Sequence, residues 1–357
     1  MNLYFWIFSY FLLFNKFSVI YSFNQYNHKL SLFNNHKLSL FNNYNKFKNN
    51  LILHSDNTFS NKINNLSNLA RTNNIIPTLI LSFSGGWIVQ PSLTKLLYST
   101  QFLSANLISI LIMTLSMIIN DLFDVKLDII NNPSRPLVNG SINKFEAYIL
   151  SLFLFLLIQY FSFTFLSSDL QIVINSLLFG NIIYTPVIKK ITLFKNLFCA
   201  FVVSFTIFFS AIAALPNFNY NSLNYYILMT TIRYIFLGSL TLELLLDIRD
   251  IDGDKHNNIL TIPVIFGKNV TLYLILSLIF ANILNFLLLY NIFNNFIVVL
   301  PSLLLIPIFF DVYKIKINNF QKKFLISSVK NTTVPMGITL LFYSILSFLI
   351  SINNFVF

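Results

Sequence analysis

SILIMTLSMIINDLFDVKLDIINNPSRP, residues 109–136, passes from twelve uncharged residues directly into three aspartates at 121, 124 and 128. Each carboxylate would cost about 3 kcal/mol at the centre of a bilayer. The stretch therefore reads as the end of a membrane helix, with its acids at the interface and something cationic among them. At 100° per residue, positions i, i+3 and i+7 lie within about 60° of one another, so the three acids point one way from the helix end.

The whole chain shares the apolar character of this run. Of 357 residues, 56% are hydrophobic and 10% charged, and the mean hydropathy is +0.71. Soluble domains carry about 25% charged residues. The sequence is that of a polytopic, all-α membrane protein. Its net charge of +11 could suggest a nucleic-acid partner, but the basic residues sit between apolar runs, as topology determinants do. The single cysteine, Cys199, excludes an intramolecular disulfide framework and a cysteine-based metal site.

Residues 1–22 form a short apolar segment interrupted by Asn15 and Lys16, in the position of a signal sequence. Residues 23–70 are rich in Asn, Lys and Ser, hold Asp56 as their one acid, and repeat NHKLSLFN at 27–34 and 35–42. Residues 1–70 are expected to be a disordered targeting leader, the alternative being a tail of biased composition without an addressing role. The leader resembles the bipartite leaders of proteins bound for a plastid of secondary origin. The mitochondrial inner membrane and the endoplasmic reticulum stay open as destinations. Residues 71–357 form the membrane domain.

Nine apolar runs long enough to cross about 30 Å of hydrocarbon fall at approximately 74–92, 103–120, 145–166, 169–187, 195–215, 226–247, 270–292, 294–312 and 332–353. After the even-numbered runs come Lys126, Arg135, Lys144, Lys189, Lys190, Lys195, Arg249, Lys255, Lys268, Lys314, Lys316, Lys322, Lys323 and Lys330, fourteen basic residues on one side. The other loops offer Lys95, and Arg233 lies within the sixth run. Such asymmetry is the mark of the positive-inside side.

Seven of the twelve acids lie in two patches on that side: Asp121, Asp124 and Asp128, then Asp247, Asp250, Asp252 and Asp254; both patches contain DxxDxxxD, formed in the second by Asp247, Asp250 and Asp254. Asn120 extends the first trio, and Glu243 lies one turn before Asp247 on the face of the second. Arg249 and Asp252 fall off that face and are expected to serve a loop, with Gly253 making a turn; Asp169 suits a helix N-terminus. Facing carboxylates repel unless a cation sits between them. Hard divalent ions favour carboxylate and amide oxygens, and Mg²⁺ is usually held by a few carboxylates, water and substrate phosphates. The pattern points to a site for Mg²⁺ and diphosphate, the plain alternative being helix caps and solvated loop acids. Arg71, Asn74, Arg135, Lys189, Lys190, Lys195 and Lys255 lie on the same side as candidate diphosphate donors.

NDLFDVKLD with SRPLVNGSI, YTPVIKKITLFKN and DIRDIDGDKHNNILTIPVIFGK resemble the UbiA superfamily of intramembrane prenyltransferases over about residues 68–353. The resemblance implies nine helices in two pseudo-repeated halves around a central cavity open to lipid. It also implies a polyprenyl diphosphate bound through Mg²⁺, and a lipophilic or aromatic acceptor alkylated by the prenyl carbocation. Asn120, Asp121, Asp124 and Asp128 match its first motif, and Asp247, Asp250 and Asp254 its second. Asp121, Asp124, Asp247 and Asp250 are taken as catalytic. Arg71 and Asn74 match an Arg-x-x-Asn element, and Tyr184 and Lys189 the Tyr and Lys after helix four. IINNPSRPLVNG looks closer to members acting on lipid-linked glycerol phosphates or chlorophyllide than to homogentisate enzymes. The second motif departs from the chlorophyll synthase pattern, and the acceptor stays open.

Two other classes compete. CDP-alcohol phosphotransferases concentrate their signature in one local stretch, which this chain lacks. A transporter with an acid-lined site predicts charges near mid-helix, whereas these acids lie at helix ends on one side.

Overall fold

The computed structural model describes residues 59–216, 219, 221–256 and 259–353. Most of the expected leader lies outside them. The described residues are helical, with no strand among them: α1 Phe59–Leu69, α2 Ile75–Val89, α3 Leu93–Tyr98, α4 Thr100–Phe123, α5 Val125–Asn131, α6 Lys144–Phe165, α7 Ser168–Tyr184, α8 Phe194–Ala214, α9 Leu223–His256, α10 Ile262–Phe266, α11 Lys268–Phe293, α12 Ile306–Ile317 and α13 Lys322–Asn353. A 3₁₀ segment, Phe296–Leu305, leads into α12 and contains Pro301, which cannot donate to an α-helical ladder.

Seven helical spans among the described residues are long and apolar enough to cross a membrane. Two of the nine expected runs are shorter helices. The run at 74–92 yields α2, 15 residues that end just before Pro91. The run at 169–187 yields α7, 17 residues that end just before Thr185 and Pro186. Proline lacks the N–H that a continuing helix needs.

Large apolar side chains point outward along the helices, including Phe145, Phe153, Tyr160 and Phe163 of α6. An outer surface of this kind suits lipid as its solvent. Inside lie two hydrophobic clusters. One gathers Leu69 with α4, α6, α7 and part of α8; the other gathers α9 and α11–α13 with Ile88 and Ile207. Helices α2 and α8 join them at a close crossing, where a Cβ on Gly85 would stand 2.1 Å from the Ile207 carbonyl oxygen. Only glycine admits that approach.

Three parts of the structure differ from the sequence expectation. Residues 59–69, placed in the leader, form α1, which buries Leu69 and pairs Lys62 with Glu146 at 2.6 Å. The folded body therefore begins before residue 71. The sixth run, expected to stop at 247, continues as helix to His256, so Arg249 and Asp252 lie on α9 and Gly253 makes no turn. Leu244, Leu245, Ile248 and Ile251 are all buried, and this apolar stripe holds the extension against its neighbours. Lys322, Lys323 and Lys330, expected in a loop, lie on α13.

Polar contacts join the ends of successive long helices. Arg71 before α2 reaches the end of α4; Lys62 reaches the start of α6; Lys195 of α8 reaches the distal part of α9; and Lys316 of α12 lies 5.4 Å from the Tyr273 ring of α11. The basic side expected from the sequence is thus one end of the bundle. Arg233, within α9, donates to Asn285 Oδ1 at 2.7 Å and to Thr230 Oγ1 at 3.3 Å.

Candidate active site

The two acid patches come together where α5 packs against α9, and their backbones differ. In the first patch Asp121 belongs to the last turn of α4, Asp124 sits at the break before α5 with φ −88° and ψ 6°, and Asp128 lies on α5. The three acids therefore do not share one continuous helix, contrary to what their spacing predicts. Backbone hydrogen bonds span the break, from Asp124 N to Asn120 O at 2.9 Å and from Asp128 N to Asp124 O at 2.8 Å. In the second patch Asp247, Asp250 and Asp254 all lie on α9.

Cations from other elements meet both patches. Asp121, 2% exposed, accepts from Arg71 Nη2 at 2.6 Å and from Arg135 Nη1 at 2.9 Å. Arg135 also pairs with Asp128, so one guanidinium bridges two buried acids. Burial raises the Asp128 carboxyl above the usual carboxylate range; Arg135 opposes that rise, and Asp124 and Asp121 add to it. Arg71 takes a left-handed backbone, φ 47° and ψ 53°, which costs a non-glycine residue about 1–3 kcal/mol. Its side chain reaches Asp121 from that conformation.

Lys189 pairs with Asp124, and the Thr185 hydroxyl donates to Asn120 Oδ1. Asp247, 2% exposed, accepts from Lys195 Nζ at 2.5 Å and from Asn196 Nδ2 at 2.9 Å. Asp250 is paired with its neighbour Arg249 at 2.5 Å and is 36% exposed at its side chain. Asp254 is buried next to Thr261, yet neither its Oδ2 nor the Thr261 hydroxyl has a hydrogen-bond partner among the described residues.

Tyr184 lies between the patches. Its ring stacks on Phe198 at 5.3 Å, its hydroxyl accepts from Cys199 Sγ at 3.1 Å, and both Asp124 and Glu243 are within electrostatic range. Two expected donors do not pair with the acids among the described residues. Asn74 is half-buried at the start of α2, where its carbonyl accepts from Thr78, and its side chain makes no hydrogen bond to the acids among the described residues. Lys255 is exposed on the last turn of α9, outside the ion pairs. The side chain of Lys190 lies outside the described residues. Asn196 and Thr185 were not singled out from sequence, and Cys199 was not taken as a site residue. Thr185 adjoins a residue that was, but Asn196 carries no charge and no motif signal.

Among the described residues, no three His, Cys, Asp or Glu side chains converge to hold a metal by themselves. Mg²⁺ seldom needs that many, since one or two carboxylates with water and substrate phosphate complete its shell. The donors here are all oxygen, Asp254 Oδ2 has no partner among the described residues, and Asp124 and Asp250 are the more exposed of the paired site acids. These residues fit Mg²⁺.

Fold and site together define an α-helical membrane protein with a polar site of acids and cations at one end of its bundle. Residues 75–327 match the UbiA prenyltransferase family, and the chain belongs to that family. A digeranylgeranylglyceryl phosphate synthase from Methanosphaera stadtmanae is 32% identical over 179 residues, 49% of this chain and 62% of that protein. A structure concerned with digeranylgeranylglyceryl phosphate synthase in membranes is 22% identical with a TM-score of 0.61, covering 80% of this chain and 99% of that one. A UbiA homologue from Archaeoglobus fulgidus bound to GPP and Mg²⁺ is 17% identical with a TM-score of 0.58, at the same coverage. These two likenesses show the fold.

Proposed function

We propose that this protein transfers a prenyl group from a polyprenyl diphosphate to the hydroxyl of a lipophilic acceptor within the membrane, releasing diphosphate, with Mg²⁺ as cofactor. The observation that carries the reading is the meeting of two acid patches with Arg71, Arg135, Lys189 and Lys195 at one helix-bundle end. Breaking a C–O bond to release diphosphate requires neutralisation of the leaving oxygens. Asp124, Asp250 and Asp254 would hold Mg²⁺, which when bound supplies part of that neutralisation. Lys189 and Arg249, each now paired with a partly exposed acid, turn to the diphosphate when it enters. Asp121 and Asp128 anchor Arg135 so that its charge faces the site. The stacked Tyr184 and Phe198 offer aromatic faces to a prenyl cation.

The acceptor is proposed to be a prenylated glyceryl phosphate, supported by the name of the Methanosphaera relative and by the IINNPSRPLVNG pattern. The bundle is proposed to cross the membrane nine times in two related halves, with α2 and α7 as its shortest crossings; the alternating direction of successive long helices supports this. Residues 1–58 are proposed to be a plastid-targeting leader, checked by locating the chain with and without them.

The decisive assay is product formation by purified protein given labelled geranylgeranyl diphosphate, Mg²⁺ and a panel of acceptors. Excess chelator is expected to abolish donor binding. Undiminished binding in chelator would refute the metal-dependent site.

A further inference from the structure

We infer that Glu243 binds the acceptor hydroxyl and takes its proton as the new bond forms, an assignment that rests on the prenyl-transfer reading above. Five site acids, Asp121, Asp124, Asp128, Asp247 and Asp250, each accept from a cation. Glu243 makes no hydrogen bond or ion pair among the described residues, although Lys195, Arg249 and Lys189 are all within electrostatic range. It is half-buried, and its oxygens are not among the unpartnered side-chain atoms shut away from the surface. An unpaired carboxylate that keeps some access to open space, with cations close by, is placed to meet a ligand.

Its position matches the chemistry. Glu243 lies four residues before Asp247 on α9, about 6 Å further into the membrane. Asp247, Asp250 and Asp254 stand at the polar end where diphosphate is held, so the prenyl carbon next to the leaving oxygen lies on the inward side of them. Tyr184 of α7 and Cys199 of α8 are hydrogen-bonded to each other at 3.1 Å and both lie within electrostatic range of Glu243, so three helices converge near this level. An acid retained inside an apolar span without a partner is expected to have a function.

The step balances as follows. The C1–O bond of the donor breaks and its electron pair leaves with diphosphate. A lone pair on the acceptor oxygen forms the new C1–O bond, and that oxygen's proton passes to the Glu243 carboxylate.

The test separates donor ionisation from transfer, using Glu243→Gln and Glu243→Asp in the full chain. Scrambling of ¹⁸O from the bridging to the non-bridging position of geranylgeranyl diphosphate reads ionisation without any acceptor. Glu243→Gln is expected to keep scrambling within about threefold of wild type while transfer falls by about 10²-fold or more. Glu243→Asp, which keeps the carboxylate, is expected to recover a large part of the transfer. Glu243→Gln transferring within about threefold of wild type would overturn the assignment. So would a parallel loss of scrambling and transfer, which would place Glu243 with the donor. Wild type that scrambles its donor but alkylates no hydroxyl acceptor would overturn the proposed function, and this inference with it.

Discussion

The two acid patches share one spacing and differ in nearly everything else. The first is split by a break at Asp124 and fastened by arginines from elsewhere, Arg71 and Arg135, onto Asp121 and Asp128. The second runs along a single helix: buried Asp247 is fastened by Lys195 and Asn196, Asp250 pairs with its neighbour Arg249, and buried Asp254 has an oxygen without a partner among the described residues. Identical spacing therefore yields different roles. An arginine's fixed fork can bridge two carboxylates, whereas a lysine acts as a point charge on a flexible stem. The first patch is built mainly to hold cations in place; the second leaves more oxygen for a ligand.

The largest expected effect divides anchor from ligand. Asp121→Ala leaves Arg71 and Arg135 without their shared buried acceptor, and should lose about 3–5 kcal/mol of stability together with all turnover. Thermal unfolding in detergent reads the first, product formation the second. Asp250→Ala, at a more exposed position, should lower turnover by about 10²–10³-fold with an unchanged unfolding temperature. Equal stability losses in the two variants would break the distinction.

A smaller effect concerns cation type. Arg135→Lys cannot bridge Asp121 and Asp128 with one rigid group, and should lower kcat/KM by about tenfold. Lys189→Arg, which serves one partly exposed acid, should stay within about threefold of wild type. The reverse ranking would show that the two patches do not divide their work in this way. The smallest effect is expected between the patches. Tyr184→Phe keeps the stack on Phe198 and removes the acceptor of the Cys199 hydrogen bond, so it should cost about 0.5–1.5 kcal/mol of stability. A much larger loss of turnover than of stability would show that the Tyr184 hydroxyl touches the substrate.

Much of this was legible in the chain. DxxDxxxD occurring twice after uncharged runs, with basic residues on one side, identified the acids that the fold brings together. Arg71, Arg135 and Lys189 followed from their side of the membrane and from family resemblance. Asn74 and Lys255 were proposed on the same grounds, and among the described residues neither side chain hydrogen-bonds or ion-pairs with the acids. A side of the membrane is set by charge counted over whole loops, but contact depends on backbone direction. Arg71 reaches Asp121 through a left-handed turn that no composition rule anticipates, while Lys255, on the last turn of α9, faces outward.

By itself, the sequence determined the all-helical membrane class, the polar end of the bundle and the family. The physical reason is that burying charge in hydrocarbon is so costly that apolar run length and charge placement leave few alternatives. Only the tertiary structure decided where α9 ends, that the first patch is broken at Asp124, and which cation meets which acid. It also decided that Glu243 has no partner among the described residues. Those outcomes depend on packing between residues distant in the chain, such as Arg71 with Asp121 and Lys195 with Asp247, and local spacing carries no information about which distant side chain will arrive.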